Sequence, residues 1–235
     1  MINSIFYDNK SLADFGLYIS GHGTFNAPAR KVSYVSVPGR NGNLTLDEGC
    51  YENTEVTYVS FIPEGMKLNT QGLRNFLMQK AGYRRLEDTY HPDEYRLGRY
   101  VQGLEVEPSE KHVAATFPLV FDCKPQRYLK DGEHAIEVST GTVLHNPEDM
   151  IALPLIRVYG AGSFNINGYA GTVSSGAAYT DIDCEMMDCF KGSTSKNQYV
   201  SFSGNDFPVL KSGSNGVSLG TGITKVEITP RWWTV

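Results

Sequence analysis

The sequence predicts a mainly β fold in two domains, with one helix in the first domain and a β-sandwich as the second. Three observations predict it: short segments of alternating apolar residues, glycine-rich turns between them, and a single segment with helical periodicity. A hydrophobic fraction of 40% in 235 residues is enough to fill two buried cores.

The distribution of charge and glycine predicts where the two domains meet. Residues 1–138 carry 15 basic and 18 acidic side chains, whereas residues 139–235 carry only 6 and 8. Glycine is denser in the second segment, with 12 in 97 positions against 12 in 138. We therefore place the domains at residues 1–138 and 139–235.

Strands dominate the first domain. Alternating apolar residues flank Asn41-Gly42, a step that supplies the positive φ angles of a tight β-hairpin turn. Residues 113–121 alternate between apolar and polar side chains, which predicts a half-buried strand. Pro118 lacks a backbone N–H, so we expect this strand to lie at a sheet edge or to contain a bulge.

One segment of the first domain has helical spacing. Its apolar positions fall at i, i+3 and i+4 and are Leu73, Phe76 and Leu77. Asn69 or Thr70 is the predicted N-cap, and Gly82 is the predicted end. Because the apolar stripe is short, we expect the helix to pack on a sheet.

The second domain is predicted to be all β. Residues 155–159 and 179–184 have the pattern of strands, and residues 163–168 that of a strand entering a hairpin turn. Asn215-Gly216 predicts a further tight turn. Short strands separated by glycine-rich turns indicate a sandwich.

Composition excludes several classes of function. A net charge of −5 and a pI near 5.6 argue against a dedicated nucleic-acid binder. No apolar segment approaches the roughly 20 residues of a membrane span. Residues 1–6 lack the basic and apolar regions of a signal peptide, so we expect synthesis in the cytoplasm and no membrane partner.

The side chains used in catalysis and metal binding are scattered, so we expect no enzyme, no cofactor and no metal site. The histidines fall far apart, at positions His22, His91, His112, His134 and His145. Cys184 and Cys189 lie close together but lack the second pair that a zinc site requires, so we expect them to be buried.

One acidic segment allows more than one interpretation. Alternation places Asp181, Asp183 and Glu185 on one face of a strand, where their oxygens could bind Ca²⁺. A carboxylate pair from this strand could also serve a cell-wall hydrolase. We favour a third interpretation, a solvent-facing strand edge whose charges deter aggregation.

Basic residues concentrate at the end of the predicted helix and beyond, at Lys80, Arg84, Arg85, Arg96 and Arg99. They could form a solvated face paired with nearby acidic residues, which are Glu87, Asp88, Asp93 and Glu94. Alternatively, they could form an ion-pair network between subunits or a patch that faces a polyanion.

An ordered series of short motifs resembles the distal tail protein (Dit) family of siphoviruses. The C-terminal motifs are Ile-Asp-Cys-Glu at 182–185, Asn-Asp-Phe-Pro-Val-Leu at 205–210, Ser-Asn-Gly at 214–216 and Ile-Thr-Pro-Arg-Trp-Trp at 228–233. Earlier motifs are Phe-Gly-Leu at 15–17, Pro-Gly-Arg-Asn-Gly at 38–42 and Cys-Lys-Pro-Gln-Arg-Tyr at 123–128.

This resemblance implies a structural protein of the virion tail tip. An N-terminal β-sandwich with one helix would form the ring, or belt, of a homo-hexameric hub, and a galectin-like β-sandwich would lie outside it. The ring would join the major tail protein of the tail tube to the tail-tip (tail-associated) protein and to receptor-binding proteins. DNA would pass through its channel without specific binding.

The surfaces for such contacts are expected at seven residues: Arg40, Arg84, Arg85, Arg96, Arg99, Trp232 and Trp233. If the last strand continues through both tryptophans, one indole is buried and the other is an interface anchor. Residues 139–235 leave no room for the large sugar-binding insertion of some relatives. The alternative function is a carbohydrate-binding sandwich that recognises host glycans by stacking sugars on tyrosine and tryptophan rings.

Overall fold

The computed structural model describes residues 3–21, 23, 25–79, 81–109, 113–204 and 206–235. The chain forms two compact units, one of residues up to Arg127 together with Val235, and one from Tyr128 to Thr234. The division falls earlier than the change in composition near residue 138. Residues 136–138 pair with residues 226–228 and so belong to a sheet of the second unit.

The first unit is built from short strands and one helix. Its described elements are, in order, β1 (Ile5–Tyr7), β2 (Lys10–Ser11), β3 (Tyr18–Ser20), β4 (Arg30–Ser36), β5 (Asn43–Tyr51), β6 (Thr54–Ile62), α1 (Met66–Met78), β7 (Arg84–Asp88), β8 (Glu94–Tyr100), β9 (Glu107–Pro108) and β10 (Ala115–Leu129). A 3-10 turn at Leu12–Phe15 follows β2.

Most of these strands form one sheet in the order β2-β1-β7-β8-β10-β6-β3, with β9 beside β10. A bridge between Asn3 and Ile19 links the two ends of the sheet, so the sheet curls around its core. The alternation predicted for residues 113–121 is confirmed from Ala115 onward, because alternate residues of β10 are buried: Ala115, Phe117, Leu119, Phe121 and Cys123. Val113 lies before the strand and is exposed.

The expected position of Pro118 at an edge or bulge is wrong. β10 lies inside the sheet, and Pro118 faces Val59 of β6 in a register that runs without interruption from Ala115 to Cys123. An antiparallel strand directs the N–H groups of alternate residues to opposite sides, so a proline removes a ladder bond with at most one neighbour.

The helix is confirmed, but its predicted ends are wrong. α1 begins after Gly65, whose φ of 65° is left-handed and which offers no side-chain cap, and it ends at Met78, with Gln79 as its C-cap. Asn69 lies inside the helix and donates from Nδ2 to the Glu64 carbonyl oxygen. The buried stripe of Leu73 and Leu77 packs into the core of the sheet, as expected.

The predicted hairpin is formed by β4 and β5, which make a two-stranded sheet of their own. Its turn is not tight. The strands separate after the pair Ser36 and Asn43, so residues 37–42 form the loop. The left-handed positions of that loop are Gly39 and Gly42, and Asn41 keeps a negative φ.

The described elements of the second unit are strands and two 3-10 turns, Lys130–Gly132 and Asn197–Tyr199. The strands are β11 (Ile136–Val138), β12 (Val143–Asn146), β13 (Leu155–Gly160), β14 (Gly162–Ile166), β15 (Tyr169–Val173), β16 (Thr180–Asp183), β17 (Asp188–Lys191), β18 (Thr194–Ser195), β19 (Val200–Phe202), β20 (Gly213–Leu219), β21 (Ile223–Thr229) and β22 (Trp233–Thr234).

Two sheets of the second unit share one core, which confirms the predicted sandwich. Their strand orders are β11-β21-β13-β16-β17-β18 and β12-β20-β14-β15-β19. Ile156 and Ile228 from one sheet and Phe164 and Ile166 from the other belong to the same buried cluster. The predicted hairpin turn falls at Asn167-Gly168, where both φ angles are positive.

Asn215-Gly216 is not a turn, contrary to prediction. Both residues lie in β20, and the left-handed residue of the preceding turn is Gly213. The fully buried Asn215 side chain accepts a hydrogen bond from Lys211 N and donates to the carbonyl oxygens of Lys211 and Gly213. Its amide thus holds the turn from a neighbouring strand position.

The contact between Gly171 and Phe164 gives a test of packing in the second unit. A Cβ on Gly171 would lie 2.4 Å from Cζ of the Phe164 ring, whereas a Cβ on Gly176 would meet no atom within 4 Å. We expect Gly171→Ala to lower the free energy of unfolding by about 1–3 kcal/mol in a denaturant titration. Gly176→Ala is the matched control and should change it by less than about 0.5 kcal/mol. Equal losses in both variants would contradict this packing.

Candidate functional site

The arginines of β8 point to opposite sides of the sheet. Arg96 is only 7% exposed, and its Nη2 lies 3.3 Å from Asn26 Oδ1. Burial, with a contribution from nearby Arg127, lowers the pKa of Arg96. Arg99, three residues further along, is exposed. The expected basic cluster is therefore divided between the interior and the surface of the first unit.

An arginine–tyrosine patch covers the outer face of β7, β8 and β10. The Arg85 guanidinium lies 3.9 Å from the centre of the Tyr95 ring, and Arg85 pairs with Glu87. Arg99 lies over Tyr83 and donates from Nε to Asp122 Oδ2 at 2.6 Å. The Asp122 contact comes from β10, which is distant in sequence, so sequence spacing did not reveal it.

The other expected interface residues lie elsewhere. Arg84 is exposed in β7, and Arg40 is exposed in the hairpin loop. Trp232 is buried in the core of the second unit, and the half-buried Trp233 packs against the same core. Trp233 Nε1 donates to the Ile151 carbonyl oxygen at 2.9 Å. Of the remaining positions named above, His22, Lys80, His112 and Asn205 lie outside the described residues.

The acidic strand is not a solvent-facing edge, contrary to the favoured interpretation. β16 lies between β13 and β17, and Asp181 and Asp183 are each 4% exposed. Arg157 donates from Nε and Nη2 to Asp181 at 2.6 and 3.0 Å. Arg231 donates from Nη1 and Nη2 to Asp183, both at 2.9 Å.

The contact with Arg231 keeps the pKa of Asp183 low although the carboxylate is buried. Burial acts to raise the pKa of Asp183, but hydrogen bonds from Arg231 and from backbone N–H groups outweigh it and lower the pKa. The same pair raises the pKa of Arg231. The carboxylates are therefore engaged with guanidinium groups. Among the described residues, no group of three or more His, Cys, Asp or Glu side chains could hold a metal ion.

The cysteines and aromatic rings of the second unit are also engaged in its structure. Cys184 and Cys189 are buried, as expected, and burial raises the pKa of Cys189 to about 12. Lys225 Nζ lies 5.6 Å from the centre of the Tyr159 ring, and the Arg157 guanidinium lies 4.5 Å from that of Tyr179. These two tyrosines are therefore not open platforms for sugar rings on those faces.

The hairpin has an exposed apolar surface that was not predicted from the sequence. Val35, Leu44 and Leu46 are 43%, 43% and 51% exposed and share one side of the ribbon, which we call the hairpin face. Tyr34 is exposed on the opposite side. The alternation of these residues was visible in the sequence, but alternation alone indicates a buried face and does not reveal what covers it.

A groove runs beside α1 in the same unit. A cavity of about 400 Å³ is lined by Met66, Lys67, Thr70, Gln71, Arg74, Val106 and Pro108. A second depression of about 380 Å³ shares Met66 and Lys67 and adds Gly65, Leu68 and Val113. We call the two together the helix groove.

No helix in the described residues is long and apolar enough to cross a membrane.

No protein-family model and no curated protein matches the sequence. The fold is that of a phage hub adsorption protein. One solved structure that it resembles is the Dit (gp 19.1) protein of SPP1, described as a paradigm of the hub adsorption apparatus in phages that infect Gram-positive bacteria. The match covers 100% of both chains with a TM-score of 0.74 and 15% identity.

A second solved structure, the phage p2 baseplate in its activated conformation with Sr, matches 97% of each chain. Its TM-score is 0.51 and its identity to this chain is 12%. At these identities the likeness concerns the fold. It confirms the resemblance to distal tail proteins at that level.

The Arg231–Asp183 pair predicts acid sensitivity. The pKa of Asp183 is lower in the folded protein than its value near 3.8 in the unfolded chain. The ionised carboxylate therefore stabilises the fold fully above that unfolded pKa, and this stabilisation is lost as the pH falls through the lower folded pKa. Asp183→Asn should lower the free energy of unfolding by about 2 kcal/mol at neutral pH and remove this acid dependence. Urea titrations from about pH 5 to pH 2 measure both effects.

Glu185→Gln is the matched control for this prediction. Glu185 lies 3.5 Å from the same Arg231 but is much more exposed than Asp183, so its loss should cost less than about 0.5 kcal/mol. An Asp183→Asn variant as stable as the parent, with an unchanged acid profile, would contradict the assignment.

Proposed function

We propose that this chain is a structural distal tail protein of a bacteriophage. Copies form a hexameric hub ring at the virion tail tip. The first unit builds the ring around the DNA channel, and the second unit, the galectin-like sandwich, lies on its periphery.

One observation carries this proposal: the match to the SPP1 hub protein extends over the whole length of the chain, through both units. A shared isolated β-sandwich would support little, because that architecture serves many functions. A shared succession of a curled sheet with one helix and a two-sheet sandwich is more restrictive.

The chemistry of the described residues supports a structural role. The carboxylates of the acidic strand are held by arginines, and the second-unit cysteines are buried thiols with raised pKa values. A net charge of −5 suits a channel through which DNA must slide without being retained. The tube-side partner would be the major tail protein, and the opposite side would contact the tail-tip protein and receptor-binding proteins.

The assembly state tests this function directly. Sedimentation velocity of the purified chain at high concentration should show a species of six times the 26.0 kDa chain mass. A closed ring needs two different surfaces on each copy, so the mass should stop rising at the closed species. Persistent monomers across the whole concentration range, with or without a tail-tip partner, would count against the hub. An open-ended polymer would exclude a closed ring.

A further inference from the structure

We propose that the turn between β16 and β17 of one copy docks in the helix groove of a second copy. This inference rests on the proposed ring and deepens it, because it assigns one pair of surfaces that meet between neighbouring subunits. The turn comprises residues 184–187, since Asp183 and Asp188 are the last pair of the two strands. We call it the methionine turn, after Met186 and Met187 at its tip.

The methionine turn exposes two large apolar side chains side by side. Met186 and Met187 are 68% and 69% exposed. Methionine is flexible and polarisable, so it adapts to irregular apolar surfaces and is common where proteins bind one another. A single exposed apolar residue is ordinary, but two adjacent ones at the tip of a turn gain much from burial against an apolar surface.

The backbone of this turn is held in an uncommon conformation. Met187 has a φ of 52°, in the left-handed region that residues other than glycine, asparagine and aspartate seldom adopt. Asp183 Oδ1 accepts hydrogen bonds from the N–H groups of Glu185 and Met186. Arg231, itself left-handed with a φ of 58°, holds the same carboxylate at two points. The buried ion pair therefore presents the methionines in a fixed geometry before any partner binds.

The helix groove offers an apolar surface for this tip. Met66, Val106 and Pro108 line its larger cavity of about 400 Å³. Leu68 and Val113 line the neighbouring depression and are 78% and 50% exposed. The anchoring side chains of an interface are usually buried in such concave apolar cavities.

Two uncompensated cations lie on the helix wall of the groove. Lys67 and Arg74 are exposed, line the larger cavity and form no ion pair within the part of the chain that the structure describes. They are seven residues apart, which is about 10 Å along one face of α1, and α1 itself contains no Asp or Glu. Glu105 and Glu107 adjoin Val106 but do not line the groove. The helix wall therefore suits an acidic segment.

The methionine turn carries that opposite charge. Glu185 precedes the two methionines and Asp188 follows them. Glu185 has an ion pair of 3.5 Å with Arg231, and 40% of its side chain is exposed, so its carboxylate remains open to a further cation. Unlike charges around an apolar anchor favour one partner and one orientation. The turn and the groove are different surfaces of one chain, so their contact is head-to-tail, the kind that generates a ring.

Replacing the methionines tests the contact without disturbing the fold. Met187→Asn introduces a residue that tolerates the left-handed conformation, and Met186→Ser removes the second apolar tip. The double variant should unfold at the same urea concentration as the parent or a higher one, yet need roughly tenfold more protein for half-assembly in sedimentation velocity. Val143→Thr changes an exposed apolar residue of β12 and is the matched control, which should assemble like the parent.

Cross-linking between two populations identifies the groove as the partner surface. Cys50 is exposed, whereas the other three cysteines are buried with raised pKa values and react slowly. In a Cys50→Ser background, one population carries Met186→Cys and the other carries Gln71→Cys, at an exposed residue that lines the groove. Mild oxidation of the mixed ring should join the two populations, and neither population alone should cross-link.

The outcomes separate this inference from the proposed function. If the methionine double variant assembles at the concentration of the parent and the two populations do not cross-link, the docking is overturned and the hub remains. Cross-links within the Met186→Cys population alone indicate turn-to-turn pairing and also overturn the docking. A parent chain that never assembles overturns the hub itself, and the docking with it.

Discussion

The packing of Phe121 among three tyrosines is the interaction on which the first unit depends. Its ring centre lies 5.1 Å from that of Tyr7, 6.3 Å from that of Tyr58 and 5.8 Å from that of Tyr100. These rings come from β1, β6 and β8, so a single side chain of β10 draws together strands far apart in sequence. The four rings therefore hold these strands against one core. The β4–β5 hairpin contributes nothing to this cluster and is left outside.

Local patterns in the sequence determined much of this architecture. Alternation predicted β10, and Asn167-Gly168 predicted the hairpin of β14 and β15. Both predictions are correct because both signals act between neighbouring residues. The turn predicted at Asn215-Gly216 is absent, because the Asn215 side-chain amide binds the backbone of the preceding turn while the Asn215 backbone stays in a strand. The start of α1 was predicted wrongly, because Gly65 precedes the helix in a left-handed backbone conformation and no side chain caps the helix.

The polar sites were predicted less well because their partners are distant in sequence. Asp181 and Asp183 alternate as a surface strand would, yet Arg157 and Arg231 from other segments allow both to be buried. Two-point guanidinium contacts compensate the loss of hydration that would otherwise keep these carboxylates at the surface. Arg96 could have been assigned to the interior from its place two residues from Gly98 and four from Tyr100, which are buried on the same side of β8.

The two units therefore differ in how completely each covers its own apolar surface. The sandwich closes its own core and holds its buried charges by pairs, whereas the first unit leaves a hairpin face and a helix groove uncovered. A single-particle reconstruction of the assembled protein tests this most directly. It should show a closed ring in which first units surround a central channel. Two-fold dimers or open-ended filaments would contradict it.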